Sequence, residues 1–71
     1  MAEKLLFQIG ERVRKLRKQK GWTQVEMAEK TGLDRSFLAD VERGRRNISI
    51  RNLSIIAQSF EKSLSRFLSG I

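Results

Sequence analysis

Signals that begin and end helices alternate along this chain at short intervals. Thr23 and Glu26 fit a capping box, in which each side chain accepts a hydrogen bond from the other residue's backbone N–H. Further residues that cap helix starts are Asp34, Ser49 and Ser63, and the glycines that end helices are Gly21, Gly32 and Gly44. Because no proline breaks the chain elsewhere, these signals restrict it to several short helices.

Apolar residues recur at helical spacing between these signals. The first stripe predicts a helix over 3–19, and Gly10 inside it indicates that a neighbouring helix approaches closely. Its members are Leu6, Ile9, Val13 and Leu16; the fourth helix carries Ile50, Leu53, Ile56, Ala57 and Phe60, and the fifth Leu64, Phe67 and Leu68. We predict an all-α fold, a compact five-helix bundle that forms a single domain over residues 1–71, because 71 residues leave no room for a second domain.

The charge and composition restrict the function. The chain has 15 Lys and Arg against 8 Asp and Glu, a net charge of +7, which favours a polyanionic partner. It has no histidine and no cysteine, so we expect no metal site, no cofactor and no enzymatic activity. Its apolar runs are far shorter than the roughly 20 residues that span a bilayer, so we expect a soluble, cytoplasmic protein without a membrane partner.

Two consecutive predicted helices have the spacing of a helix-turn-helix. The helices cover 24–31 and 35–43, with Gly32 at the sharp turn and the small residue Ala28 where they pack together. The second helix of such a unit enters the DNA major groove. The sequence therefore predicts double-stranded DNA as the partner.

The run TQVEMAEKTGL, from Thr23 to Leu33, resembles the signature of the Xre/Cro-like helix-turn-helix family, which has a lambda-repressor-like fold. The runs DRSF and RGRRNIS, which begin at Asp34 and Arg43, are similar to restriction-modification controller proteins. This resemblance covers about 9–68 and implies a homodimeric transcription factor that acts on a palindromic operator. It also implies a structural ion pair between Arg17 and Glu42, which we expect to be largely buried.

The third predicted helix should have an inward and an outward face. Leu38 and Val41 are three residues apart and should face the core. The residues expected to face outward are Arg35, Ser36, Ala39 and Asp40. Asp40 would accept from cytosine N4 or orient Arg43.

Three residues at the start of this helix are candidates for base readout. The Arg35 guanidinium can donate two hydrogen bonds to guanine O6 and N7, unless it is merely an exposed arginine. Ser36 would contact a base or a phosphate, or only favour the first helical turn. Phe37 would press on a thymine methyl or a deformable base step, as the matching aromatic of controller proteins implies, or would pack on Val41.

Four residues are candidates for contacts with the DNA backbone. Gln24 begins the second helix, where the backbone N–H groups and the helix dipole favour a phosphate, although a solvated glutamine is the alternative. Arg43 ends the third predicted helix, which is the recognition helix of the helix-turn-helix, and Arg46 and Asn47 come after it. All three would lie along the backbone or in the minor groove. The cations of the first helix are interpreted as ordinary solubilising charge; they are Arg12, Arg14, Lys15, Lys18 and Lys20.

The last two helices carry more apolar residues than a monomer core requires. We interpret five of them as a dimer interface, with core packing as the alternative: Ile55, Leu64, Phe67, Leu68 and Ile71. A competing hypothesis is an antitoxin or small phage-type repressor whose C-terminal helices bind a partner protein, and a third is an adaptor that binds no nucleic acid. An activator would in addition contact RNA polymerase, for which no residue stands out.

Overall fold

The computed structural model describes residues 2–71, and for Ala2 the backbone alone. Over that range it has five helices: α1 Ala2–Gln19, α2 Gln24–Thr31, α3 Arg35–Glu42, α4 Ile50–Ser59 and α5 Leu64–Phe67. The predicted all-α, five-helix bundle is confirmed, with α3 ending one residue before the expected 43. No helix among these residues is long and apolar enough to cross a membrane.

The predicted capping signals set the bounds of α2 and α3. The Thr23 hydroxyl accepts from the Glu26 N–H at 3.0 Å, and the Glu26 carboxylate accepts from the Thr23 N–H at 2.8 Å. Gly32 ends α2 with a φ of 72°, a left-handed conformation that costs glycine little. Asp34 then begins α3 by accepting from the N–H groups of Ser36 and Phe37, so the turn between the two helices is short.

Helix α1 packs backbone to backbone against the end of α3. A Cβ atom at Gly10 would overlap the carbonyl oxygen of Val41 and would lie 2.8 Å from that of Glu42. The close approach expected from a glycine inside α1 is therefore present, and it holds α3 against α1.

Three aromatic rings stack one on the next in and against the core. The rings of Trp22 and Phe60 stack with centroids 5.6 Å apart, and those of Phe60 and Phe67 with centroids 6.4 Å apart. Phe67 is fully buried within the chain, so its assignment to a dimer interface was wrong. The thin core of so small a domain needs this side chain.

Two further residues differ from their predicted orientation. Ile50, expected on the apolar face of α4, is 67% exposed: it is the first residue of the helix, and burial of that face begins only one turn later, at Leu53. Ala39, expected to face outward, is buried. It lies one turn before Glu42 on the face of α3 that meets the rest of the chain.

Candidate nucleic-acid interface

A buried ion pair fixes the recognition helix to α1. The Arg17 guanidinium donates to both oxygens of Glu42, through Nε at 2.6 Å and through Nη2 at 3.1 Å. Their side chains are only 12% and 5% exposed. The third guanidinium nitrogen, Nη1, donates to the Trp22 carbonyl oxygen at 2.8 Å, so α3 is tied to α1 and to the segment that leads into α2.

Gln24, at the start of α2, joins the same cluster. Its Nε2 donates to Glu42 Oε1 at 3.2 Å, and the residue is half-buried. The sequence predicts a phosphate contact or a solvated glutamine at position 24, and not this hydrogen bond. No local signal reveals it, because the two residues are 18 positions apart.

The start of α3 presents its side chains to solvent. Arg35 and Ser36 are exposed, while the capping carboxylate of Asp34 is occupied by the helix itself. Hydrogen bonds from Ser36 and then from the Phe37 N–H lower the pKa of the Asp34 carboxyl below its ordinary value. The capping charge is therefore retained, and the adjacent, exposed Arg35 also favours it electrostatically.

Phe37 is half-buried and has a cation as its neighbour. The guanidinium of Arg46 lies over the Phe37 ring, 5.2 Å from its centroid, which is within the range of a cation–π interaction. Phe37 also packs partly against the core. The contact brings a loop arginine expected on the DNA backbone next to the first turn of the recognition helix.

The segment after α3 carries the remaining predicted backbone contacts. Arg43 donates to Asp40 at 3.3 Å, and Arg45, Arg46 and Asn47 are exposed. Of the two roles weighed for Asp40, orienting Arg43 is the one with a contact in the structure. The three arginines that follow Glu42 are therefore all open to solvent directly after α3.

The C-terminal helices combine core packing with partial exposure. Ile55, Leu64, Leu68 and Ile71 are half-buried, and all except Ile55 pack against the core. Arg12, interpreted as solubilising, instead donates to the Phe67 carbonyl oxygen at 2.6 Å. It thereby ties the end of α5 to α1, across 55 positions of sequence that no local pattern connects.

Nucleic-acid binding fits this arrangement of exposed guanidinium groups better than small-molecule chemistry. Among residues 3–71, no cluster of acidic side chains could hold a metal ion. The exposed groups are cations and short polar side chains, which bind phosphates and base edges.

Comparisons with known proteins agree with this geometry. The helix-turn-helix family model HTH_3 matches residues 13–67. The immunity repressor protein of Bacillus phage phi105 is 47% identical over 49 residues, which are 69% of this chain and 34% of the repressor, so the chain spans about a third of that relative. Control protein C.MunI of Mycoplasma sp is 35% identical over 66 residues, which are 92% of this chain and 89% of that protein.

One of the solved structures similar to this chain is a complex with operator DNA. It shows the restriction-modification controller protein C.Esp1396I as a tetramer with its natural 35 base-pair operator. The match has a TM-score of 0.81 and 36% identity, and covers 89% of this chain and 83% of that one. The similarity to controller proteins is thereby confirmed, and the chain belongs to the helix-turn-helix family HTH_3.

Proposed function

We propose that this protein is a sequence-specific, double-stranded-DNA-binding transcriptional regulator that acts as a homodimer on a palindromic operator. One observation carries the proposal: the Arg46 guanidinium lies over Phe37, 5.2 Å from its ring centroid. This contact unites the exposed first turn of α3, suited to base edges, with the loop cations, suited to phosphates. Similarity to a controller protein solved with its operator supports the same reading.

Some of the exposed residues contact base edges and others contact the DNA backbone. Arg35 reads a guanine from the major groove, and Ser36 contacts an adjacent base or phosphate. Arg43, Arg46 and Asn47 bind the backbone and fix the register of α3. Phe37 contributes its ring edge to readout while its face holds Arg46.

Gln24 contributes mainly through α2. Its side chain is already bonded to Glu42. The phosphate contact at this position therefore comes from the backbone N–H groups and the positive end of the α2 dipole. This role adds to that of the arginines, because it depends on backbone N–H groups whose direction is fixed by the Thr23 cap.

The homodimer forms through the half-buried residues of α4, α5 and the C-terminus: Ile55, Leu64, Leu68 and Ile71. Ile55 offers the sharpest test, because it is half-buried and yet lies outside the set of residues packed on the core. Ile55→Glu should give a folded monomer by light scattering, since its charge opposes association without entering the core. A dimer retained by this variant would contradict the assignment.

Selection of bound duplexes from a random pool at near-physiological salt tests sequence specificity. The expected result is a palindromic consensus, with half-sites one helical turn apart. Arg35→Ala should lose discrimination at one position of each half-site, worth about 1–3 kcal/mol, whereas Arg46→Ala should weaken all duplexes alike. A pool without consensus, or identical effects of the two substitutions, would contradict the proposal.

A phage-type repressor is the second candidate, favoured by the 47% identity to the phi105 immunity repressor. It has the same DNA-binding surface, but its C-terminal helices bind a different protein. A stable dimer of the purified chain that Ile55→Glu dissociates favours the controller reading, because the two candidates differ only in what the C-terminal helices bind. Transcription with purified RNA polymerase and the selected operator then distinguishes an activator, which contacts the polymerase, from a repressor.

A further inference from the structure

A depression of about 440 Å³ lies between α1 and the segment that follows α3. Three exposed arginines line it: Arg14 of α1, and Arg43 and Arg45 on either side of Gly44. The buried or half-buried residues Arg17, Glu42 and Gln24 also line it. The depression therefore has cations from two separate parts of the fold around a polar interior.

The charges of the depression favour an anion. Four arginines and two carboxylates line it, the carboxylates being Glu11 and Glu42. The oxygens of Glu42 already accept from Arg17 and Gln24. Within residues 3–71, the side chains of Arg14 and Arg45 have neither a hydrogen bond nor an ion pair, so both guanidinium groups are available to a ligand.

Two glycine contacts fix the walls of the depression relative to each other. A Cβ atom at Gly44 would lie 2.8 Å from the Cα of Phe7, and one at Gly10 would lie 2.8 Å from the carbonyl oxygen of Glu42. At both positions backbone meets backbone, which leaves little freedom for sliding. Arg14 and Arg45 are therefore attached to one rigid body, although they come from different elements.

The depression is continuous with the proposed DNA-binding surface, because Gln24 and Arg43 belong to both. We propose that Arg14 and Arg45 bind a phosphate group of the DNA backbone at this depression, beside the phosphates contacted from α2 and the loop. The inference rests on the proposed function and adds Arg14 to the residues that contact DNA. A duplex backbone fits this site because its phosphates are regularly spaced. A duplex bound at the neighbouring cations therefore also brings a phosphate to the depression.

The salt dependence of binding to a short mixed-sequence duplex tests the site, because a phosphate contact does not depend on sequence. Arg14→Gln should reduce the slope of log K against log salt by about 0.9, the contribution of one released counterion. Lys15→Gln is the matched control, since it removes the same charge from the adjacent residue of α1, which does not line the depression. Glu11→Gln should have the opposite effect on affinity, because it removes a carboxylate that repels the phosphate.

The outcomes separate this inference from the function on which it rests. If the unaltered protein binds the duplex and Arg14→Gln has the same slope as Lys15→Gln, the phosphate site is wrong and the proposed function stands. If the unaltered protein shows no salt-dependent binding, the proposed function fails. Thermal unfolding of each variant verifies that the fold is retained.

A free phosphate is the other source of the same chemistry, and NMR of the arginine Nε–H groups distinguishes it. The Arg14 and Arg45 signals should shift on addition of the duplex and should change little with inorganic phosphate at the same phosphate concentration. Signals that respond to inorganic phosphate and not to the duplex would overturn the assignment to DNA.

Discussion

The Glu42 carboxylate connects three helices at a single buried point. It lies at the end of α3 and accepts from Arg17 of α1 and from Gln24 of α2. A buried carboxylate is tolerated only where its charge is compensated, and three hydrogen bonds provide that compensation. The position of the recognition helix therefore depends on one residue that does not contact DNA in our account.

Removal of this carboxylate should destabilise the protein strongly. Glu42→Ala would leave the Arg17 guanidinium buried without its partner, at a cost of about 3–5 kcal/mol in the free energy of unfolding. Chemical denaturation measures the effect. Asp40→Ala is the control, because it breaks an exposed pair with Arg43 and should cost less than about 1 kcal/mol. An equal decrease in the free energy of unfolding of the two variants would show that the buried pair contributes no more to stability than the exposed one.

Some residue positions could be derived from sequence and others only from the assembled fold. Leu38 and Val41 are buried as their spacing predicts. The burial of Ala39 could have been found, because a residue three positions before a buried Glu42 lies on the same helical face. The contact of Arg12 with the Phe67 carbonyl could not, because it depends on where α5 is placed against α1.

At the scale of elements, the sequence predicts helix bounds best where the capping hydrogen bonds join residues that are close together in the chain. Helix α2 begins and ends where the Thr23 cap and Gly32 predict, because its capping bonds span only three or four residues. The C-terminal region was less predictable. Leu64, Phe67 and Leu68 give the same apolar pattern whether they face the core or a partner, and the structure buries Phe67 completely.

The cap of α3 predicts a dependence of stability on pH. Because hydrogen bonds lower the pKa of Asp34 in the folded state, its stabilising contribution is complete above its ordinary pKa, near 4, and is lost as pH falls through the folded value. Asp34→Asn should remain close to the unaltered protein at pH 7, since asparagine also caps helices well. The unaltered protein should lose stability relative to this variant between about pH 5 and pH 2. Denaturation series at several pH values would detect the difference, and parallel curves would contradict it.

The close contact between α1 and α3 predicts that an alanine at position 10 destabilises the protein, although alanine favours helix formation more than glycine does. Gly10→Ala gains about 1 kcal/mol of helix propensity, but its Cβ would overlap a backbone oxygen that cannot rotate away. We expect a net loss of about 2 kcal/mol, typical of overpacking. Gln8→Ala, at an exposed position of α1, should change stability by less than about 0.5 kcal/mol. A more stable Gly10→Ala variant would mean that the two helices are not in close contact.

At the scale of the whole molecule, the proposed regulator combines a rigidly held α3 with a C-terminal association surface. The ion pair of Arg17 and the close contact at Gly10 hold α3 in place, and the exposed arginines surround its outer face. A dimer would carry twice the +7 charge of each chain to the duplex, which favours rapid association with DNA. Its symmetry then determines the spacing of the two half-sites.

A crystal structure of the protein on its selected duplex would show whether α3 enters the major groove in two symmetric copies. We expect two α3 helices in successive major grooves, about 34 Å apart, with Arg35 directed at base edges and Arg46 at the backbone. Two copies related so that their α3 helices could not reach the same face of the duplex, or an α3 turned away from the groove, would contradict this expectation.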